Sequence, residues 1–413
     1  MDTNHSTMLE RYADVTLAVG LALQPSQQLL IRAGIDAAPL VRAIAARAYQ
    51  LGSRLVEVIW SDEYLDLVRL QNAPRDTFGE FPGWILDGVA QRLRQGDAYL
   101  QITGQTPDLL DAEDPGAKSE MMKAFWTSYK PVLDLQGINA VTWSVVSAAT
   151  PGWAAKVFPS LGRDEALAQL WDAIFEICRL KTEDPVEAWQ RHIRDLSARC
   201  LYLNKKQYAS LQYTGPGTSL TVGLPEGHAW FSGSEVSKDN VTFVANLPTE
   251  EIFTTPHRAR VSGTVVSTLP LTYMGTIIKN MALTFADGKL VQASAGQGEG
   301  VLRGIVETDE GACRLGEVAL VSHASPIARS GIVFYNTLFD ENAASHLAFG
   351  SAYKACVDGG TGLTDAEFEK VGGNTSSVHV DFMIGSSEMS VDGILPSGAS
   401  EPVMRKGDWA FDI

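Results

Sequence analysis

The chain has 413 residues, of which 45% are hydrophobic and 20% are charged, as in ordinary globular proteins. Since a single core stops growing near about 250–300 residues, this length predicts two domains. The formal net charge of −16 argues against nucleic acid or an anionic membrane as a main partner.

The N-terminal segment lacks the basic region, apolar core and small-residue cleavage site of a secretory signal. No apolar stretch approaches the roughly 20 residues that are needed to cross a bilayer. The four cysteines form no C-x-x-C pair, which fits a reducing compartment and argues against a disulfide framework or a zinc knuckle. We therefore expect a cytoplasmic protein without a membrane partner.

The first half of the sequence alternates helix-like and strand-like segments. An amphipathic helix is predicted at the start, because apolar residues between Met8 and Val19 recur at helical spacing. Strand–helix–strand repetition follows, which predicts a parallel sheet covered by helices. Two further helices are predicted after it. The predicted strands lie at 27–34, at 54–62, from 98 onward and from 138 onward, and the two helices lie at 164–180 and 185–204.

The character of the sequence changes near residue 205, where short strand-like stretches begin to alternate with Gly/Pro turns. This pattern continues to the C-terminus, with one predicted helix around 341–356. The glycine-rich stretch 293–307 is expected to form a turn, without the strand-then-helix context of a dinucleotide-binding loop. We predict an α/β N-terminal domain at 1–190, a parallel sheet with helices, and a β-rich α+β C-terminal domain at 191–413.

Acidic residues in the second half form two candidate sites for a cation. Glu250 and Glu251 are adjacent in a turn-rich segment at a strand end, and adjacent carboxylates repel unless a cation or solvent separates them. Glu317 directly precedes an apolar strand, where an unpaired buried carboxylate would be costly. The glutamate pair is therefore either solvated or part of a cation site, and Glu317 is either at a rim or coordinated.

Two histidines are each spaced to share a face with a second polar residue. His346 and Tyr353 are seven residues apart, which is two turns of the predicted helix and places both on one face. That face either packs against a sheet or delivers two metal ligands. His379 and Asp381 are two residues apart on a predicted strand and point to the same side. They form either a metal-ligand pair or a hydrogen-bonded pair.

Taken together, these residues offer carboxylate oxygens and imidazoles but no thiolate, a donor set that suits Zn, Co, Mn or Mg. Six ligands exceed what one catalytic metal with an open position takes, so two metals are predicted. The chemistry is compatible with several two-metal hydrolases, including a phosphoesterase, and with a non-catalytic metal-binding protein. The sequence contains no P-loop, no His-Glu-x-x-His and no Gly-x-Ser-x-Gly motif.

Four segments in this order resemble the thermophilic metalloaminopeptidase family of the aminopeptidase S, aminopeptidase T and PepS type: NLPTEEIFTTPHRARVSGTV, GEVALV, the stretch from His346 to Tyr353, and HVDFMIG. The opening segment LERYADVTLAVGLALQPSQQLLI is similar to that family as well. The resemblance implies a C-terminal catalytic domain that removes the N-terminal residue of peptides through a water activated by two metal ions. It also implies two divalent ions (Zn, Co or Mg), peptide substrates with a free N-terminus, a homodimer and a cytoplasmic location.

The same resemblance implies which residues form the site. The family's ligands fall on Glu251, Glu317, His346, Tyr353, His379 and Asp381. On this basis Glu251 is preferred over its neighbour as a ligand. Glu250 is then the candidate general base, or the group that holds the substrate's α-amino group. Tyr353 is alternatively a hydrogen-bond donor to the tetrahedral oxyanion, and His257 is a weaker candidate for orienting substrate.

Overall fold

The computed structural model describes residues 3–273 and 276–413, which form two compact units. The first unit extends to His192 and includes Ser234–Pro248. The second unit comprises Ile193–Gly233 and Thr249–Ile413. The domain boundary predicted after residue 190 stays a prediction, and the structure adds that the segment 234–248 packs with the first unit.

The first unit is built on a four-stranded parallel sheet in the order β2-β1-β3-β4. Parallel neighbours need long crossovers, and helices supply them. Central strand β1 is apolar because both of its faces are covered, and its first three residues are at most 3% exposed. The strands are β1 (Leu29–Gly34), β2 (Val56–Ser61), β3 (Ala98–Thr103) and β4 (Trp143–Ser147). The helices are α1 (Thr3–Val15), α2 (Ala38–Gln50), α3 (Glu63–Asn72), α4 (Trp84–Arg94), α5 (Pro115–Gly137), α6 (Pro151–Val157), α7 (Arg163–Ile177) and α8 (Pro185–Lys206), which continues past His192.

Short strands dominate the rest of the chain. They are β5 (Ser210–Gly215), β6 (Thr218–Gly223), β7 (Phe231–Ser232), β8 (Ser234–Val236), β9 (Thr242–Val244), β10 (Glu251–Thr254), β11 (Val261–Val266), β12 (Leu271–Tyr273), β13 (Thr276–Ile278), β14 (Ala282–Ala286), β15 (Lys289–Ser294), β16 (Leu315–Val321), β17 (His346–Gly350), β18 (His379–Met383), β19 (Ser390–Ile394), β20 (Ser400–Arg405) and β21 (Asp408–Trp409). The helices among them are α9 (Glu299–Val306), α10 (Pro326–Ser330), α11 (Thr337–Asp340) and α12 (Asp365–Lys370). The α/β N-terminal part followed by a β-rich C-terminal part confirms the predicted fold class.

Two sheets of the second unit share one hydrophobic core. The larger has eight strands in the order β15-β14-β11-β6-β5-β19-β20-β21, and the smaller has five in the order β18-β17-β16-β10-β7. Alternate residues of the smaller sheet pack into this core because side chains alternate between the faces of a strand. On the three strands β16, β17 and β18 these core residues are Val318, Leu320, Leu347, Phe349, Val380 and Phe382, none more than 5% exposed. The other face carries polar residues together with the small side chains of Ala319 and Ala348.

The helix predicted around 341–356 is wrong. Helix α11 precedes this stretch, Glu341–Ala343 is a single 3-10 turn, and His346–Gly350 is strand β17. All five strand residues are buried, since β17 lies between β16 and β18. Burial on both faces removes the polar alternation by which a strand is recognised, so the apolar run was indistinguishable from helix. His346 and Tyr353 therefore do not share a helix face.

The glycine-rich stretch also differs from its prediction. Strand β15 ends at Ser294 and helix α9 begins at Glu299, so a strand is followed by a helix. Gly298 precedes the helix with a positive φ of 76°, a conformation that glycine adopts without steric cost. Because β15 pairs antiparallel with β14, the segment still lacks the parallel βαβ unit of a dinucleotide site. Across the described ranges, no helix combines the length and apolarity of a membrane span.

Candidate metal centre

Five of the predicted ligands lie on one face of the five-stranded sheet. Glu317 on β16 is paired with Ala348 on β17, which is paired in turn with Asp381 on β18. Directly paired residues of an antiparallel sheet point to the same side, and so do residues two apart on one strand. His346 and His379 are each two residues from a member of this row and therefore join it on the same face. Glu251, the first residue of β10, joins that face too through its pairing with Val321.

The side chains converge on Glu317. Its Oε1 is 3.5 Å from His346 Nε2, and its Oε2 is 3.4 Å from His379 Nε2. Glu251 Oε2 lies 3.0 Å from the same His346 nitrogen, and Asp381 Oδ1 lies 3.5 Å from that of His379. The ligand atoms form two groups, each spanning at most 4.8 Å, and Glu317 belongs to both. We call Glu251, Glu317 and His346 the first group, and Glu317, His379 and Asp381 the second group.

Backbone carbonyls orient both histidines. His346 Nδ1 is 3.1 Å from the carbonyl oxygen of Ala344, and His379 Nδ1 is 2.7 Å from that of Ser351. A carbonyl only accepts a hydrogen bond, so each Nδ1 carries the proton. Nε2 then donates to the carboxylates when the ring is charged, or offers its lone pair to a cation lying among them when the ring is neutral. This carbonyl–histidine arrangement is the usual support of a metal-ligating imidazole.

The charge balance of the cluster favours bound cations, because three carboxyl groups and two imidazoles meet there with little access to solvent. Glu251, Glu317 and His346 are 8%, 5% and 1% exposed, and buried carboxylates are unfavourable unless they are paired. Burial alone would lower the pKa of His346, but hydrogen bonds to the two glutamates outweigh it and raise that pKa well above its ordinary value. Burial likewise would raise the pKa of Glu317, but the two histidines lower it to about 2. Divalent ions bound by Nε2 and the carboxylates would supply this positive charge, and the oxygen and imidazole donors fit them.

The two groups differ in their access to solvent. In the first group the side chains of His346 and Glu251 are 1% and 11% exposed. In the second group those of His379 and Asp381 are 25% and 15% exposed. The second group is therefore the open side of the centre, where a water or a substrate atom can enter.

Tyr353 lies at this open side. The residue comes three positions after the end of β17, and its side chain is half exposed. Its ring centroid is 5.1 Å from that of His379. On its other side the ring of Phe253 is 5.7 Å away. The structure thus brings Tyr353 beside the second group, and its coordination of a metal stays a prediction.

Two further residues predicted from the sequence, Glu250 and His257, belong to neither ligand group. Glu250 directly precedes β10, is 6% exposed, and donates its backbone N–H to Asn342 Oδ1 at 2.7 Å. His257 Nδ1 accepts a hydrogen bond from the backbone of Ala259, and its ring packs on Gly372. The roles assigned to Glu250 and His257 stay predictions.

Glu341 is a candidate that sequence reasoning missed. Burial raises the pKa of its carboxyl group well above the ordinary value, and the charges of Glu251 and Asp381 add to that effect. The residue therefore stands beside the centre without belonging to either ligand group. Its position five residues before His346 was the only available signal, and it does not distinguish a site residue from a solvated loop acid.

Asp340, which ends α11, should make stability depend on pH. Burial raises the pKa of its carboxyl group to about 7, although backbone N–H groups of Phe334 and Asn336 donate to it. The unfolded value is about 4, so the folded state binds more protons between these pH values and the free energy of unfolding falls as pH rises through that window. Between pH 4.5 and 8 the free energy of unfolding of the wild type should fall by about 2–4 kcal/mol more than that of Asp340→Asn. The measurement is denaturant unfolding of both proteins in the presence of a chelator. If the free energies of unfolding of the two proteins changed in parallel with pH, this prediction would be wrong.

Comparisons with known proteins agree with a metal centre. The sequence profile of the thermophilic metalloprotease family (M29) matches residues 5–409. The chain is 44% identical to aminopeptidase 2 of Geobacillus stearothermophilus over 405 residues, which cover 98% of each protein. It is 44% identical to aminopeptidase T of Thermus thermophilus over 401 residues, 97% of this chain and 98% of that one. The solved structure of wild-type AmpT from Thermus thermophilus superposes with a TM-score of 0.93 at 43% identity, covering 98% of this chain and 99% of the other.

Proposed function

The chain belongs to the thermophilic metalloprotease family M29, and on this premise we propose that it is an aminopeptidase with a two-ion centre that removes the N-terminal residue from peptides. The observation that carries the two-ion proposal is the sharing of Glu317 between two ligand groups. Each group supplies one imidazole and two carboxylates, which is a complete set of protein ligands for a catalytic ion with an open position.

In this proposal Glu251 and His346 would hold one ion, His379 and Asp381 would hold the other, and Glu317 would contribute to both sites. When bound, the ions activate a water and polarise the scissile carbonyl group. Zinc, cobalt and magnesium all suit these ligands. The single-sided placement of the ligands on a rigid sheet keeps their positions fixed during the reaction.

Three further residues act on the substrate in this proposal. Glu250 is the general base predicted from the sequence, and it neighbours a ligand without being one. Tyr353, half exposed at the open side, donates a hydrogen bond to the oxyanion that forms at the peptide carbonyl. The carboxyl group of Glu341 lies beside the centre, and a bound α-amino group would lower its pKa and pair with the resulting carboxylate. An anionic group at this place would restrict cleavage to the first residue.

A homodimer and a cytoplasmic location complete the proposal. Both derive from the resemblance of the motifs to the aminopeptidase S, T and PepS family. Light scattering of the purified protein measures the dimer directly, and cell fractionation measures the location.

Removal of the ions should abolish aminopeptidase activity reversibly. After chelation, hydrolysis of an aminoacyl p-nitroanilide should disappear, and added Co²⁺, Zn²⁺ or Mg²⁺ should restore it, since the ions activate the water. An N-acetylated substrate should not be cleaved, because it lacks the free amino group. Hydrolysis of a phosphoester in place of the aminoacyl substrate would indicate the alternative two-metal hydrolase, and metal binding without any hydrolysis would indicate a non-catalytic protein.

His379→Ala should have the same effect as chelation but without recovery on adding metal. His228→Ala is the matched control, because His228 is buried and also bonds a carbonyl through Nδ1, here that of Pro225 at 2.9 Å, yet it belongs to neither ligand group. The control should lose stability while its folded fraction retains activity. Full activity of His379→Ala would contradict the assignment of this residue.

A further inference from the structure

Asn342 connects the chain segments that carry the first ligand group. It is completely buried in the 3-10 turn Glu341–Ala343, between α11 and β17. We propose that Asn342 is a positioning residue that holds the Glu251 half of the metal centre in place and leaves the other half unaffected. The inference rests on the proposed two-ion site, and it assigns a task to a residue that binds no ion itself.

The side-chain amide of Asn342 hydrogen-bonds the backbone just before β10, as a neighbouring strand would do. Its Oδ1 accepts the backbone N–H of Glu250 at 2.7 Å, one residue before the first pair of the β10–β16 ladder. Its Nδ2 donates to the carbonyl oxygen of Leu338 at 3.0 Å. Because a carbonyl oxygen only accepts, this second bond fixes which end of the amide faces Glu250. The backbone that leads into Glu251 is therefore held from the side.

The same residue reaches the other two members of the first group along the chain. Its backbone carbonyl oxygen accepts a hydrogen bond from the hydroxyl group of Ser325 at 3.3 Å, and Ser325 follows the strand of Glu317 by four residues. Asn342 itself precedes His346 by four residues. The chain segments that carry all three ligands of the first group thus meet at this one buried residue, but only the segment of Glu251 is bonded by its side chain.

The second group has a separate support. His379 is oriented by the carbonyl group of Ser351, and it shares strand β18 with Asp381. Before that strand, Asp309 accepts hydrogen bonds from Ser376 and Ser377. No hydrogen bond described for Asn342 reaches these residues. Loss of the side-chain amide leaves the backbone bond to Ser325 in place, so it should disturb the ion held by Glu251 and spare the other.

Nδ2 also approaches Glu341 Oε1 at 3.4 Å, which is at the long limit of a hydrogen bond. This contact links the carboxyl group of Glu341 to the same amide. Through its two amide atoms, Asn342 thus contacts both the backbone before a ligand and the acid beside the centre. A shorter side chain would lose both contacts at once.

The test measures the binding of each ion in Asn342→Ala. Metal-free protein is titrated with Co²⁺ and followed by calorimetry and by the visible absorbance of the bound ion. Loss of a residue that supports a metal ligand typically weakens metal affinity about 10–100-fold. We expect one of the two binding steps to weaken by about this factor while the other is unchanged. Activity should recover at saturating Co²⁺, since every ligand is still present.

Asn204→Ala is the matched control. Asn204 also holds backbone through both amide atoms, accepting from Trp230 N at 2.7 Å and donating to Trp230 O at 3.0 Å. It should leave both binding steps unchanged. Asn342→Ser is a second variant, which keeps a hydroxyl group in the buried site but is too short to bond both Glu250 N and Leu338 O, and it should shift the same single step. It decides the question if Asn342→Ala does not fold.

Equal weakening of both steps, or of neither, would overturn the positioning role. Failure of the two-ion proposal has a different signature, because it would appear in the wild type as fewer than two bound ions. The single-step shift therefore separates a residue that positions one half of the centre from one that merely stabilises the fold.

Discussion

Glu317→Gln should remove both ions and lower kcat/KM for an aminoacyl substrate by about 10³-fold or more, which corresponds to the several kcal/mol that metal ions contribute to such transition states. Each carboxylate oxygen of Glu317 faces a different imidazole, at 3.5 and 3.4 Å. Glutamine has nearly the same shape but carries no charge and has only one acceptor oxygen. The substitution therefore weakens both ligand groups in one step.

The measurement is metal content by elemental analysis after dialysis, together with kcat/KM and a circular dichroism spectrum of the folded protein. Asp381→Asn is the informative comparison, because Asp381 belongs to the second group alone and its loss should release one ion. Glu369→Gln is the control for charge, since Glu369 is ion-paired with Arg258 at 2.6 Å and lies outside both groups. Two tightly bound ions in Glu317→Gln would show that this residue does not bridge them.

The sequence predicted those parts of the fold and site that depend on local patterns. The parallel sheet of the first unit follows from repeated strand–helix segments, and it is present as predicted. The shared face of His379 and Asp381 follows from a spacing of two on a strand, and β18 has that geometry. In both cases the relevant information lies within a few residues of the chain.

The parts that could not be predicted depend on long-range pairing. His346 was assigned to a helix because a strand buried on both faces shows no alternation. The register that brings Glu251 and Glu317 together joins β10 to β16, which are more than 60 residues apart, and no local pattern specifies it. Asn342 contacts Glu250 across 92 residues, so its role is invisible without the fold.

Two small side chains leave space among the ligand side chains, where the proposed ions would lie. Ala348 stands between Glu317 and Asp381 in one row of the ligand face, and Ala319 is the partner of His346 in the next row. Both alanines are fully buried. A longer side chain at either place would project among the ligand atoms, because paired residues of antiparallel strands have Cβ atoms only about 4.5–5.5 Å apart. Space between the ligands is therefore as necessary as the ligands themselves.

Ala348→Val should consequently abolish metal binding and activity while the protein stays folded. Valine suits a strand, and its two added methyl groups would occupy the volume between Glu317 and Asp381. Overpacking typically costs about 1–3 kcal/mol, and Ala348 lies on the ligand face, outside the core that the two sheets share. Metal content, activity and the denaturation midpoint of the metal-free protein measure the three effects separately.

Substitution of the neighbouring residue, Leu347, should lower stability without removing the metal ions. Leu347 points to the other face of β17, into the core, and is fully buried there. Leu347→Ala should cost about 2–5 kcal/mol of stability, while the folded protein still binds two ions and hydrolyses peptides. Adjacent substitutions would thus separate the two faces of one strand, because one removes the metal without unfolding the sheet and the other weakens the sheet without removing the metal. If Ala348→Val bound two ions with wild-type affinity, the ions could not lie above this row of the sheet.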